Sequence, residues 1–374
     1  MADQVVNQYT PTEVTPPGET LRELLEERGV SQAELAARMG RPKKTVSEII
    51  NGKAAITPET ALQLELVLGV PAPFWNARER DYREYLARKE QDVRLTRERN
   101  WLKKFPLKRM VSLGWLPQCR EPAAQVKTLL EFFGVASAEQ WREMFNGYQV
   151  AFRRSAKFEI DDGALAAWLR AGVLEADRIK SQPYSRESFL GCLTEARILT
   201  QEPPEIFQPR LTELCAGAGV AVVFVPELPG SRANGATQWL GPSKALIQLS
   251  LRYRTDDQLW FTFFHEAAHV LLHGKRVIFL EGDRHEGDEE NEANRWAADF
   301  VIPPGAYATV RSWGRYTRAA LTDYANYIGI APGILVGRLQ HDGLIPHSFC
   351  NDLKRRLEWV EGSMPRPTLP DPVS

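Results

Sequence analysis

Residues 264–269 read Phe264-His265-Glu266-Ala267-Ala268-His269, and an acidic stretch, Glu289-Glu290-Asn291-Glu292-Ala293-Asn294, follows further along the chain. On a helix, residues four positions apart lie on one face. His265 and His269 can therefore direct ring nitrogens at one metal ion, with Glu266 beside it. A catalytic zinc ion takes three protein ligands and keeps one open position, and a second helix can supply the third ligand as a carboxylate. The two segments together predict a zinc hydrolase site.

Glu290 is the predicted third ligand. Asn294 lies one helical turn after it on the same face, and its amide oxygen could accept the second ring N–H of His265 or His269. Glu292 lies about 200° around the helix from Glu290, so both cannot bind the same ion. His273 continues the four-residue spacing but lies roughly 12 Å along the helix from His265. We expect His273 to pack or to support a ligand.

Glu266 is the predicted catalytic base. The sequence does not choose the group that stabilises the developing negative charge on the substrate. The candidates are His285, His341, His347, Arg252 and Tyr253. The alternative for the whole motif is a buried amphipathic helix whose histidines satisfy only local hydrogen bonds.

Composition sets the class of protein. The chain has 374 residues, of which 43% are hydrophobic and 25% charged, which is typical of globular proteins with two or three domains. Basic and acidic residues nearly balance at 47 and 48, so nucleic-acid contact must be local. The four cysteines form no CxxC pair, and no apolar run is long enough for a membrane span or a signal-peptide core. We expect a cytoplasmic chain with reduced thiols and no membrane partner.

The N-terminal region predicts five short helices. Ser31 and Glu34 form a capping box, Gly29 and Gly40 end helices, and Pro42 suits a first helical turn. The second and third helices with the tight turn between them predict a helix-turn-helix. The predicted helices are 18–28, 32–39, 42–50, one beginning near 57, and one beginning near 73 and passing 85.

The second helix of such a motif enters the major groove of DNA. Residues 41–53 carry a local net charge of +3. The candidate contacts to bases or phosphates are Gln32, Arg41, Lys43, Lys44, Thr45, Ser47, Glu48 and Lys53. The alternative is a protein-binding module whose basic residues form a solvated face.

The first 90 or so residues resemble a HigA-type antitoxin of the larger Xre repressor class. The resemblance rests on Pro17-Gly18-Glu19-Thr20-Leu21, Ser31-Gln32-Ala33-Glu34-Leu35-Ala36, Ile50-Asn51-Gly52-Lys53 and Ala61-Leu62-Gln63-Leu64-Glu65. It implies a dimeric DNA-binding protein that represses its own operon and has a toxin as a partner. This chain differs from that class by a long extension.

The middle of the chain combines a basic segment with helical patterns. Residues 94–109 hold seven basic residues and one glutamate, with Trp101 and Phe105 interleaved. Such a segment could follow a phosphate backbone, but basic runs are usually solvated, and we expect its aromatic rings to pack on the core. Residues 122–216 show helical apolar clusters. Strands are predicted at 219–226 and 244–250, with 235–239 between them, and a strand beside the zinc cleft could hold an extended peptide.

The later part of the chain resembles the ImmA/IrrE metallopeptidase family over about residues 200–340. The resemblance rests on the Val-rich strand, the hairpin, Phe264-His265-Glu266-Ala267-Ala268-His269, Glu290-Asn291-Glu292-Ala293-Asn294 and Pro303. It implies that His265, His269 and Glu290 bind zinc and that Glu266 is the catalytic base. It also implies cleavage of a partner repressor in a stress response.

We therefore expect an α+β, mostly α, fold in three parts. These are a five-helix helix-turn-helix domain at 1–92, a helical linker or scaffold at 93–199, and a zincin-like, gluzincin-type domain at 200–374 with a small β-sheet and the HExxH helix. The predicted function is transcriptional regulation with an endopeptidase that uses one zinc ion. The predicted partners are operator DNA and a protein, which is either a substrate such as a repressor or a toxin. We also expect a homodimer formed through the helix-turn-helix domain.

The alternative function is an antitoxin or autorepressor whose metallopeptidase-like domain binds a partner or senses stress without turnover. Glu266 argues against it, because a structural zinc site needs no base and is usually closed by a fourth protein ligand.

Overall fold

The computed structural model describes residues 14–153, 162–274, 279–281 and 288–360. The chain divides into two compact units, Met1–Arg97 and Glu98–Ser374. Most described residues are helical, and a small β-sheet lies in the second unit, so the predicted α+β, mostly α, class is confirmed. Within the described ranges, no helix is both long and apolar enough to cross a membrane.

The five predicted N-terminal helices are confirmed in the first unit. Ser31 caps the second helix by accepting a hydrogen bond from the Glu34 backbone N–H at 3.1 Å, and Gly40 ends it with a φ of 63°. Their apolar faces meet in one core that includes Leu35 and Trp75. The helices are α1 (Pro17–Glu27), α2 (Gln32–Met39), α3 (Lys43–Ile50), α4 (Pro58–Leu68) and α5 (Ala72–Arg97).

The second unit begins with helices that carry an aromatic cluster. Trp101 and Phe105 are buried against Phe133 and Trp141, with ring centroids 5.0 to 6.2 Å apart. The expected packing of the aromatic rings of the basic segment is therefore confirmed. The elements are a 3₁₀ helix (Glu98–Lys104), α6 (Leu107–Ser112), α7 (Pro122–Phe133), α8 (Ala138–Arg153), α9 (Asp162–Arg178), α10 (Arg186–Leu199) and α11 (Pro204–Gly217).

A four-stranded sheet of order β1-β3-β2-β4 follows. β1 pairs parallel with β3, whereas β2 pairs antiparallel with both β3 and β4. The two strands predicted at 219–226 and 244–250 are present, and residues 235–239, expected to lie between them, belong to a third. The fourth has only three residues, too few to give a recognisable pattern. The strands are β1 (Val220–Phe224), β2 (Gly235–Gly241), β3 (Lys244–Leu249) and β4 (Phe279–Glu281).

The helix that carries the HExxH motif lies in the core of the second unit, between the sheet and two other helices. Large apolar side chains such as Trp260, Phe263 and Phe264 are fully buried on it, as expected for a helix that is apolar on nearly all sides. Polar groups held in such a place need partners or a function. The elements are α12 (Asp256–Leu272), α13 (Asp288–Val301), α14 (Pro304–Arg311), α15 (Arg318–Tyr327), α16 (Pro332–His341) and a 3₁₀ helix (Asn351–Leu353).

Candidate metal centre and nucleic-acid interface

His265 and His269 lie one turn apart on α12, and Glu290 reaches them from the first turn of α13. The two Nε2 atoms are 3.0 Å apart, and the Glu290 carboxylate oxygens lie 3.1 Å from His265 Nε2 and 3.5 Å from His269 Nε2. Ligand atoms bound about 2 Å from one tetrahedral zinc ion would be separated by roughly 3.3 Å. The three side chains therefore have the spacing and the donor types that one zinc ion needs.

The partners of the two imidazoles leave both Nε2 atoms available for a metal. The Oδ1 atom of Asn294 can only accept, so His265 Nδ1 donates to it, at 3.0 Å. His269 Nδ1 lies 2.8 Å from His273 Nδ1, and His273 Nε2 lies 3.4 Å from the Glu292 carboxylate. With a proton on His269 Nδ1 and another on His273 Nε2, each of these two contacts has one donor and one acceptor. Such partners fix the tautomer of metal-binding histidines.

The protonation states of the site also suit metal binding. Burial lowers the pKa of His269 to about 4, so its imidazole is neutral at neutral pH. Burial alone would raise the pKa of Glu290, but its close contacts with the two imidazole rings hold that pKa well below its usual range. Neutral imidazole and ionised carboxylate are the forms that coordinate zinc.

Glu266 is fully buried and lies against β2. Thr237 Oγ1 on that strand donates to the Glu266 carbonyl oxygen at 3.0 Å. A Cβ atom at Gly235 would lie only 2.7 Å from Glu266 Oε1 and 2.6 Å from Thr262 Cγ2. Gly235 therefore gives the Glu266 side chain its space. The sequence pattern placed Gly235 between two predicted strands and gave no sign of this contact.

The five candidates for oxyanion stabilisation lie in different places. Arg252 and Tyr253 line a small pocket that also includes Thr262, one turn before Glu266. His341 ends α16 and contacts Asp342 at 3.0 Å. His347 is exposed in the turn that follows α16. His285 lies outside the described residues.

The predicted DNA-reading residues cluster around α3. Lys43 and Lys44 are exposed at its first turn, and Thr45 and Ser47 are half-buried. Gln32, at the start of α2, is half-buried, and Lys53 is exposed just after α3. Glu48 is also half-buried. Val46, Ile49 and Ile50 face the core of the first unit.

Arg41 differs from the other basic candidates because it is engaged within its own domain. Its Nε donates to Gln63 Oε1, and one terminal nitrogen lies 3.3 Å from the Glu59 carboxylate. Lys44 makes only a long contact of 3.8 Å with Glu48 and is 86% exposed. Lys43 and Lys44 are thus more available to a phosphate than Arg41.

Two segments of the chain match known protein families. Residues 21–75 match the helix-turn-helix family, and residues 229–339 match the family described as the IrrE N-terminal-like domain. The second match contains the His265, Glu266, His269 and Glu290 positions.

Individual proteins of known sequence or structure are similar to part of the chain. The uncharacterised HTH-type transcriptional regulator YddM of Escherichia coli K12 is 41% identical over 59 residues, which is 16% of this chain and 63% of that protein. An addiction module antidote protein of the HigA family from Coxiella burnetii is 31% identical, with 23% of this chain and 96% of the other covered, at a TM-score of 0.22. The Pseudomonas aeruginosa antitoxin HigA, solved with the higBA promoter, is 30% identical, with 21% and 90% covered, at a TM-score of 0.20.

The family matches and the fold agree on the organisation of the molecule. The helix-turn-helix match falls on α1 to α5 of the first unit, and the second match runs from the loop before β2 to α16. The chain therefore joins a helix-turn-helix domain to an IrrE N-terminal-like domain.

Proposed function

We propose that this chain is a cytoplasmic, DNA-binding transcriptional regulator whose second unit is a zinc-dependent endopeptidase that cuts a repressor or a related regulatory protein during stress. The observation that carries this proposal is the convergence of His265, His269 and Glu290, whose ligand atoms all lie within 4.8 Å of one another, next to the buried Glu266. The match of residues 229–339 to the IrrE N-terminal-like domain supports it.

The three metal-binding side chains and Glu266 would have different roles in peptide hydrolysis. A zinc ion held by His265, His269 and Glu290 would lower the pKa of a water molecule and polarise the carbonyl of the scissile peptide bond. Glu266 accepts the proton of the attacking water as general base and then donates it to the leaving amine. The contacts of Gly235 and Thr237 with Glu266 hold that base against β2.

The sheet offers a place for an extended substrate. β4 pairs with residues 235–237 of β2 and forms the outer edge of the sheet on that side. A peptide strand that pairs with β4 would extend this sheet, and backbone pairing of this kind suits a protein substrate.

The first unit supplies the DNA-binding part of the proposal. α3 would enter the major groove of an operator, with Lys43 and Lys44 on phosphates. A homodimer formed through this domain would place two such helices on two half-sites of the operator.

Glu290→Ala tests the metal centre. Loss of one of three ligands should remove zinc, so we expect the zinc content of the purified full-length chain to fall from one ion towards none, as measured by native mass spectrometry. Glu289→Ala is the matched control, because Glu289 is exposed on the same turn of α13 and should leave the zinc content unchanged. Full zinc occupancy in Glu290→Ala would show that the ligand assignment is wrong.

A further inference from the structure

A cavity of about 570 Å³ lies between α12, α13 and α16. Phe261, Ala298 and Ile334 form part of its apolar wall, and Arg295 and Arg338 also line it. Small-molecule sites have volumes of about 300 to 1,000 Å³ and combine apolar walls with a few polar groups. The cavity has the size and the lining of such a site.

Arg295 gives this cavity a preference for anions, and Arg338, whose charge is paired with Asp342, adds hydrogen-bond donors. Arg338 is held in place because its Nε donates to Asp342 Oδ2 at 3.0 Å and its guanidinium lies 4.8 Å from the centre of the Tyr307 ring. Arg295 is exposed on α13 and has no ion-pair partner among the residues that the structure describes. An available guanidinium recognises carboxylate and similar anions with paired hydrogen bonds.

The carboxylate that lines the same cavity does not cancel this preference. Asp257 is buried at the start of α12, and Lys354 Nζ lies 2.7 Å from its Oδ2. The charge of Asp257 is thus balanced by Lys354, and the charge of Arg295 remains for a ligand.

The cavity lies behind the proposed metal centre. Asn294 lines it and accepts from His265 Nδ1, and Phe261 lines it with its ring centroid 6.3 Å from that of His265. Nδ1 and Nε2 are on opposite sides of the imidazole ring, and Nε2 is the atom that faces Glu290. A ligand in the cavity would therefore touch the supports of His265 and leave the metal position and Glu266 clear.

We propose that this cavity binds a small apolar organic acid. Its acid group would pair with Arg295 and Arg338, and its apolar body would pack on Phe261, Ala298 and Ile334. The proposal goes beyond peptide hydrolysis, and its test does not depend on it.

The test is equilibrium binding of the fluorescent apolar anion anilinonaphthalene sulfonate to the full-length protein, with decanoate and decanol as competitors. We expect decanoate to displace the probe and decanol to fail. Arg295→Ala should weaken probe binding about tenfold, the effect of losing one charge-assisted hydrogen bond. Ala298→Trp, which fills the cavity, should do the same or more. Arg311→Ala, an exposed arginine on α14, is the control and should bind like the wild type.

Three results would overturn the proposal. If Arg295→Ala and the wild type bind the probe with equal affinity, Arg295 does not form an anion site. This variant decides the question if Ala298→Trp does not fold. Equal displacement by decanol and decanoate would exclude an acid-specific site. Loss of probe binding in Glu290→Ala, with full binding in Ala298→Trp, would place the anion on the metal instead of in the cavity.

Discussion

At the residue scale, the position of Glu266 depends on a side chain that is missing from the neighbouring strand. The side chain of Glu266, the proposed general base, lies beside Gly235 on β2, and Thr237 on the same strand donates to the Glu266 carbonyl oxygen. A base acts only when it lies within hydrogen-bond reach of the proton that it takes. Gly235 is therefore a positioning residue for the proposed reaction, although it would touch neither metal nor substrate.

Gly235→Ala should uncouple metal binding from catalysis. Its Cβ would push Glu266 aside, and a displacement of about 1 Å at a reacting group can reduce the rate about 100-fold. The three zinc ligands are untouched, so zinc content should stay at one ion per chain. The measurement is kcat/KM over a range of pH on an identified substrate, together with native mass spectrometry.

Gly241→Ala is the control for this variant, because a Cβ atom there meets nothing within 4 Å. We expect it to retain both zinc and activity. A Gly235→Ala protein that keeps the wild-type pH profile and rate would show that Glu266 is not positioned by this contact.

At the element scale, the first turn of α12 places two carboxyl groups in the interior. Asp256 Oδ1 accepts from the backbone N–H groups of Asp257 and Arg355, and Gly333 on α16 leaves room for the Asp256 carboxyl. Burial, with the neighbouring charge of Asp257, raises the pKa of Asp256 from 3.8 to about 6. Between about pH 4 and 6, the folded protein thus holds a proton on Asp256 that the unfolded chain has released.

Asp256→Asn should flatten part of the pH dependence of stability. Because the folded state binds the extra proton between about pH 4 and 6, the free energy of unfolding of the wild type falls as the pH rises through this window. An amide keeps the accepting oxygen and has no charge to bury. The free energy of unfolding of Asp256→Asn, relative to that of the wild type, should therefore rise by about 2 to 3 kcal/mol between pH 4 and pH 7.

Calorimetric unfolding of the second unit at several pH values measures this difference. Both proteins have the same proposed metal site, so any pH dependence of metal binding cancels in the comparison. Asp323→Asn, an exposed position on α15, should follow the wild type. Parallel pH profiles for the wild type and Asp256→Asn would contradict the assignment.

The proposed recognition helix, α3, gives a second prediction at this scale. Replacement of both Lys43 and Lys44 by alanine should weaken binding to DNA taken from around the gene of this chain, and the slope of log affinity against log salt should fall by about 1 for each lost phosphate contact. Fluorescence anisotropy at several salt concentrations measures both quantities. Lys89→Ala on α5 is the control. If the double variant binds like Lys89→Ala, α3 does not contact the DNA backbone through these lysines.

At the scale of the whole molecule, the sequence predicted the features that depend on short-range periodicity. Helical spacing placed His265 and His269 on one face of a helix and Asn294 on the same face as Glu290, and capping residues set the bounds of α2. The contact of Gly235 with Glu266 could not be predicted, because it depends on how a strand packs on a helix. The cavity behind His265 was missed for the same reason, since its lining comes from three helices far apart in sequence.

The organisation of the molecule links the two activities that we propose. DNA binding by the first unit would direct the chain to its operator, and proteolysis by the second would change the set of repressors in the cell. The proposed proteolysis requires one particular regulatory protein as its substrate. Identifying that protein would therefore show how the proposed proteolysis is related to the proposed DNA binding.

The most direct test compares new protein N-termini, by mass spectrometry, in cells that carry the wild type and in cells that carry Glu266→Gln, with and without stress. Glu266→Gln should keep its zinc, because the ligands are intact, and lose the proton transfer that cleavage requires. We predict at least one N-terminus that appears with the wild type, is absent with Glu266→Gln, and lies within a transcriptional regulator. Identical sets of N-termini under every stress would contradict the endopeptidase and favour a second unit that binds a partner without cutting it.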